Sequence, residues 1–283
     1  YRNYLYVLYW QCKDSVCGER IMATTRIDVQ NYVNSILGTT DIIVDNNTIM
    51  AGMEDIVNRI SLINPKALKA LEVPVALTCS SSGASITLQY VPTNNEEINV
   101  YYTKSSIPKK LVRVDNPEHI TNTYSLLNDG DYGKRYFWVR GNKLYVYPSD
   151  EGDTYEADIV KYGVDNSGKL IWHDRYNYPL ALYCSIFELN RVFNAYVSLL
   201  INRMIKENVM YDYTDVNKRL KADDVELAAA ELQKIQTAIS EQATASDNLR
   251  VIMENTVNTL QRIRNLRQEY YDWFGISISA GGE

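Results

Sequence analysis

The spacing of hydrophobic residues along the chain changes period twice. Behind Thr25, the residues Val29, Tyr32, Val33, Ile36 and Leu37 recur at helical spacing, and Gly38 ends the run. Thr25-Arg-Ile-Asp28 has the form of a capping box with an acid in the third place. After a short loop a second helix is predicted, with Ile49, Met53, Ile56, Val57, Ile60 and Ile63 on one face. Asn64-Pro65 stops it.

From about Leu71 to Gly163 the period shortens to that of strands. VPVALTCSSSGASITLQYVP, INVYYTKSS, KKLVRVD and TYEADIVKYG are β-rich runs, punctuated by Pro74, Pro92, Pro108, Pro117 and Pro148. They predict a module of short antiparallel strands. Within it, YFWVRGNKLYVYPSD predicts a hairpin around the glycine-first loop Gly141-Asn142. That loop pairs Tyr136 with Tyr147, Trp138 with Tyr145 and Arg140 with Lys143. Alternation then places Phe137, Val139, Leu144 and Val146 on an apolar face. The opposite face carries Tyr136, Trp138, Tyr145 and Tyr147, with charge only beside the turn. Neither face has the character of ordinary solvated surface, so the aromatic one is expected to be covered by something.

The third regime is helical. From Leu180 to Phe274 the chain has neither Gly nor Pro, and Pro179 suits a first helical turn. Leu182, Ile186, Leu189, Phe193, Tyr196, Leu200 and Met204 form one stripe. Val225, Ala228, Leu232, Ile235, Ile239, Gln242, Ser246, Leu249, Met253, Thr256, Leu260, Ile263, Arg267 and Tyr270 then alternate by threes and fours. Either one long helix runs through, or a bend near 243–247 makes a helical hairpin whose second arm Ser246 caps. Both readings predict an elongated C-terminal arm.

The fold class expected is therefore α+β: N-terminal amphipathic helices, an antiparallel β insertion, and long C-terminal helices. The division is 22–70 for the first helices, 71–165 for the β module, 166–212 for the core helix, 213–275 for the arm and 276–283 for a tail. Met22 opens a stretch that reads like an ordinary protein start, so 1–21 is expected to be an upstream extension.

Composition narrows the function classes. Hydrophobic residues make up 46% and charged residues 23%, a globular mixture. A net charge of −6 argues against a protein gripping nucleic acid over a broad surface. The chain has 23 Tyr against 4 Phe, and tyrosine suits surfaces that become buried on assembly. Cys12 and Cys17 lie close together while Cys79 and Cys184 stand apart, so free thiols are expected and no zinc site. No run of eighteen apolar residues predicts a membrane span.

Chemistry-bearing motifs are scarce. The chain lacks GxGxxG, a phosphate-binding GKS or GKT loop, GxSxG and HExxH. His173, in IWHDRYNYP, is the most tempting single residue, yet a lone His before a helix reads as structural. His119 has less context still. Asp150-Glu151-Gly152-Asp153 lacks calcium-loop spacing and reads as a solvated acidic turn. No catalytic, cofactor or metal residues are assigned. Arg262, Arg264 and Arg267 lie beside Tyr270, Tyr271, Trp273 and Phe274, either serving a helix end or forming a docking end.

The order of an amphipathic helix, IVNRISLINPKAL, the insertion YFWVRGNKLYVYPSDEGDTYEADIVKYG and the helix YPLALYCSIFELNRVF resembles head–tail connector, or adaptor, ring proteins of short-tailed bacteriophages. The tail-tubular and ring proteins of crAss-like phages are the nearest likeness. A strand, tight turn and strand ending in Pro recur there before a segment closing in Tyr, here Tyr136 to Val139, Gly141-Asn142, Leu144 to Pro148 and Tyr162. The resemblance implies a virion neck or tail protein, assembled in the bacterial host cytoplasm, that forms a homo-oligomeric ring, often a dodecamer. Its implied partners are portal and tail proteins, with DNA passing through the channel without sequence-specific binding. The resemblance supplies no catalytic residues. The competing readings are a helical-arm interaction or scaffold protein with a β recognition module, and an enzyme built on His173.

Overall fold

In the computed structural model, residues 25–80, 84–91, 98–103, 108–115, 118, 135–148, 150–242 and 245–275 are described. The expected extension 1–21, the tail 276–283, Cys12, Cys17 and His119 lie outside them. The fold is α+β with long C-terminal helices.

Local signals act where the sequence puts them. Thr25 Oγ1 accepts from the Asp28 N–H at 3.3 Å, and the Asp28 carboxylate accepts from the Thr25 N–H at 2.7 Å, closing the capping box of α1 (Arg26–Leu37). Gly38 ends that helix in the left-handed conformation, φ +68°. In α2 (Asn46–Ile63), Asp45 caps the start by accepting from the Thr48 N–H at 2.7 Å, which holds its carboxyl below the ordinary range. Ile49, Met53, Ile56, Val57 and Ile60 are buried. Ile63 departs from the expected stripe and is 49% exposed, since the chain turns at Asn64 into the 3₁₀ turn Pro65–Leu71.

The β module holds two four-stranded sheets. The first orders β1 (Glu72–Thr78), β8 (Thr154–Val160), β3 (Asn99–Tyr102) and β4 (Lys109–Lys110). The second orders β2 (Ser85–Thr87), β7 (Lys143–Tyr147), β6 (Tyr136–Arg140) and β5 (Val112–Arg113). A small ribbon of β9 (Gly163–Val164) and β10 (Leu170–Ile171) leads back to the helices. KKLVRVD is not the single strand its pattern suggests. Leu111 is buried, and its N–H bonds Val100 O at 2.8 Å, whereas the next N–H, of Val112, bonds Arg135 O at 2.9 Å. The chain switches sheets at Leu111, and β5 joins β6 in parallel, an exception to the antiparallel expectation. Phe137, Leu144, Val146, Tyr155, Ala157 and Val100 fill the module's own core.

The remaining elements build a helical core around α3 (Asn177–Lys206), with Pro179 in its first turn. Leu182, Leu189, Phe193, Leu200 and Met204 are buried along it. A short helix α4 (Val216–Arg219) leads to α5 (Val225–Glu241), and Ser246 then caps α6 (Asp247–Trp273) by accepting from the Leu249 N–H at 3.2 Å. Of the two readings of the long seam, the hairpin is the one adopted. It is not an extended arm: α6 lies along α3, α5 packs on α6, and all three feed the core shared with α1 and α2. Gly52 sets how closely α2 approaches α3, because a Cβ there would sit 2.8 Å from Leu180 Cδ1 and from Tyr183 Cδ1. Among the described residues no helix is long and apolar enough to cross a membrane.

The hairpin's turn is clamped from α3. Glu207 accepts from the Ser246 N–H at 3.0 Å and from the Ser246 hydroxyl, and Arg203 also donates to it. The Glu207 carbonyl takes Gln242 Nε2 at 2.9 Å. The Ser246 hydroxyl, then its N–H, hold the Glu207 carboxyl below its ordinary value. A depressed folded-state value contributes stability above the unfolded-state value and loses it as pH falls. The expected result is that Glu207→Gln lowers the melting temperature at pH 7, and that its deficit against wild type shrinks steadily below the ordinary carboxyl value of 4.5. Parallel thermal scans between these acidities check this; a deficit independent of pH would rule out the charged clamp.

Candidate functional site

Two features fix the β6–β7 hairpin on the module. Its pairing has the expected register, Tyr136 with Tyr147, Phe137 with Val146, Trp138 with Tyr145, Val139 with Leu144 and Arg140 with Lys143. Gly141 takes φ +60°, which the glycine-first turn requires. The apolar side, with Phe137, Leu144 and Val146 buried and Val139 packed against them, faces the first sheet.

At the base of the hairpin, Arg135 precedes β6 and Pro148 follows β7. Arg135 Nη1 donates to Asp153 Oδ2 at 2.7 Å, and its guanidinium lies 3.6 Å from the centre of the Tyr102 ring. Tyr102 donates to Asp153 Oδ1 at 3.2 Å. Arg135 also donates to the Tyr155 hydroxyl, which in turn donates to Pro148 O. Burial is the largest influence on that phenol, pushing its pKa up. The Asp153 side chain is only 4% exposed. The acidic turn is thus not wholly solvated as expected: Asp150 and Glu151 face water, while Asp153 turns inward to pair. No group of three or more His, Cys, Asp or Glu side chains among the described residues could hold a metal ion.

With its inner face and base secured, the hairpin presents its aromatic side away from the first sheet. Flanking strands extend that side into three rows: Thr87–Lys143–Arg140, Ser85–Tyr145–Trp138, and Tyr147–Tyr136–Val112. Trp138 and Tyr145 stack with ring centres 5.5 Å apart and planes 11° off parallel. Those two and Tyr147 are half-buried, Val112 is 53% exposed, and Tyr136 departs from its neighbours at 7%. These nine positions include two cations and no carboxylate, on a chain of net charge −6. Such a surface suits docking of a partner with acceptors and apolar area. Ser85, Thr87 and Val112 were not legible as members, because their strands pair with the hairpin across long stretches of chain.

The second predicted group lies elsewhere, in the helical half, and is already engaged within the chain. Arg262 Nη2 donates to Leu37 O at 3.1 Å, serving the C-terminus of α1 and not of its own helix. Arg264 pairs with Glu226 at 2.7 Å, and Arg267 Nη1 donates to Asp223 O at 3.0 Å. Tyr270 is buried and donates to Asp55 Oδ2 at 2.6 Å. Trp273 packs edge-on against Tyr176 at 5.9 Å, and Phe274 against Tyr270 at 5.2 Å. These contacts dock α6 onto its own bundle. His173 caps the 3₁₀ turn Asp174–Tyr176, its Nδ1 accepting from the Arg175 N–H at 3.2 Å.

Sequence reasoning missed one further feature, an open cleft of about 710 Å³ between α2, α3 and α6. Phe187, 46% exposed, lies on its wall and off the apolar stripe of α3, which was the available signal. No protein-family model matches the chain and no curated protein does, so these surfaces are read from their own chemistry.

Proposed function

We propose that this chain is a structural subunit of a ring between the portal and the tail of a short-tailed bacteriophage virion, through which DNA passes. The observation that carries the reading is the outward aromatic face of the second sheet. Trp138, Tyr145 and Tyr147 remain half-buried among nine described row positions that hold no carboxylate, while their own module's core is filled from the other side. Ring contacts join unlike patches of neighbouring subunits and seal such surfaces only in the assembly. The resemblance in element order supports the same role, with homo-oligomer, portal and tail proteins as partners and the virion neck as its location. The alternative, a helical-arm interaction or scaffold protein with a β recognition module, is less favoured because α6 packs along α3 and α5 on α6.

Mass spectrometry of neck complexes from purified particles encoding this chain tests the proposal. The chain is expected in several copies per particle, alongside the portal. Particles that are infectious and lack it would end the reading.

A further inference from the structure

The two arms of the α5–α6 hairpin carry one unbroken register. From Val225 to Tyr270 the seam alternates by threes and fours, and the turn between the helices does not shift its phase. A hairpin asks only that each arm turn its own stripe toward the other. The phase of the second arm is then free, and agreement across the turn has about one chance in seven. A single helix requires that agreement. From Leu180 to Phe274 there is neither Gly nor Pro, so the turn owes nothing to a helix-breaking residue.

The arms are also unequally held. α6 lies along α3, whereas α5 rests on α6 and the short α4. Leu232, Ile235 and Ile239 are buried on α5, which keeps the hairpin closed at rest. Toward the turn the arms part around an open groove of about 510 Å³ lined by Ile239, Met253 and Val257. The turn itself is held from α3: Gln242 and Ser246, the polar seam residues flanking it, both bond Glu207. At the far end of α5, Glu226 and Arg264 pair with side chains 72% and 48% exposed, a weak surface tie.

We infer that the hairpin is the clamped form of a two-state element, and that release from Glu207 lets α5 continue α6 as one helix from Val225 to Trp273. The connection is long enough. In either form the start of α5 is about 30 Å from the turn along its own axis. The segment from Asn208 to Asp224, which leaves α3 beside that turn, reaches about 55 Å when extended. Glu231, buried on α5, pairs with Arg219 at 3.3 Å and accepts from Tyr211, and both partners lie on that segment and can travel with it. Straightened, α5 frees Ala228, Leu232, Ile235 and Ile239 as the leading half of a single apolar seam, the form in which helices grip a helical partner.

Double electron–electron resonance on the full chain tests this apart from the ring reading. Nitroxide labels go on Gln233→Cys and Gln261→Cys, which line one groove between the arms. Cys12→Ser and Cys17→Ser accompany them, and the buried Cys79 and Cys184 stay. Packed antiparallel arms hold the labels within about 20 Å, whereas one helix places them about 42 Å apart. Adding Glu207→Gln and Ser246→Ala is expected to raise the long-distance population about tenfold or more, with helix content by circular dichroism undiminished. A further Ala245→Pro, which breaks a continuous helix, is expected to abolish it. An unclamped chain that keeps only the short distance, or that broadens it while losing helix, would overturn the inference, as would a long distance that survives Ala245→Pro. None of these outcomes bears on the chain's presence in virion necks.

Discussion

Asp153→Ala is expected to lower the unfolding free energy by about 3 kcal/mol, the low end for removing one partner of a buried ion pair. Asp153 is 4% exposed as a side chain and Arg135 is 20% exposed, so the cation left behind keeps some access to water. What it loses is still large. The 2.7 Å pairing goes, Tyr102 loses its acceptor, and a charged group stays packed between the Tyr102 and Tyr155 rings. Replacing both partners together, as Arg135→Met with Asp153→Val, is expected to recover most of the loss, because no orphaned charge remains. Urea unfolding followed by circular dichroism measures both. A loss below about 1 kcal/mol for Asp153→Ala would mean that the pair behaves as a solvated surface bridge, and the clamp at the hairpin base would have to be abandoned.

The clamp links stability to the candidate interface. Arg135 and Pro148 bracket the hairpin, so loss of their partners is expected to disturb the aromatic face directly. Asp153→Ala is therefore expected to weaken any contact made through Trp138 and Tyr145 by more than its effect on global stability alone.

What could be read in the sequence was whatever a few neighbouring residues decide. The capping box at Thr25 and Asp28, the left-handed Gly38 and the register set by Gly141-Asn142 all depend on groups within a turn of one another. The stripe through Leu182, Leu189, Phe193 and Leu200 is likewise a local periodicity. The seam through α5 and α6 shows the limit of such patterns. Ile239, Gln242, Ser246 and Leu249 keep the three-four alternation across the turn, so periodicity alone cannot separate one helix from a hairpin. Partners far apart in sequence leave no local trace. Arg262 binds the carbonyl of Leu37, 225 positions away, and Tyr270 binds Asp55, 215 positions away. The C-terminal arginines and aromatics therefore had the composition of an interface while their partners lay inside the chain. The outward hairpin face was legible because its pairing is local; its flanking rows, from β2 and β5, were not.

Gly52→Val is expected to destabilise the helical half by about 3 kcal/mol, the upper part of the range for overpacking a closed site. Gly52 is buried in the middle of α2, where glycine ordinarily costs a helix about 1 kcal/mol against alanine. Helix propensity alone would make substitution favourable. Contact geometry opposes it and is the larger effect. A Cβ would approach Leu180 Cδ1 and Tyr183 Cδ1 to 2.8 Å and Tyr183 Cγ to 3.3 Å. The Leu180 methyl can rotate away, but Tyr183 is a rigid ring in contact with Tyr270 at 6.2 Å between centres, and Tyr270 is itself tied to Asp55. Relief must therefore come from moving α2 away from α3, which opens the packing around Ile49, Met53 and Ile56. Gly52→Ala is expected to lose less, about 1 kcal/mol, since its propensity gain offsets part of the clash. Thermal unfolding of the two variants beside wild type decides the matter. If Gly52→Ala proved more stable than wild type, the close approach of α2 and α3 would not be what glycine is needed for.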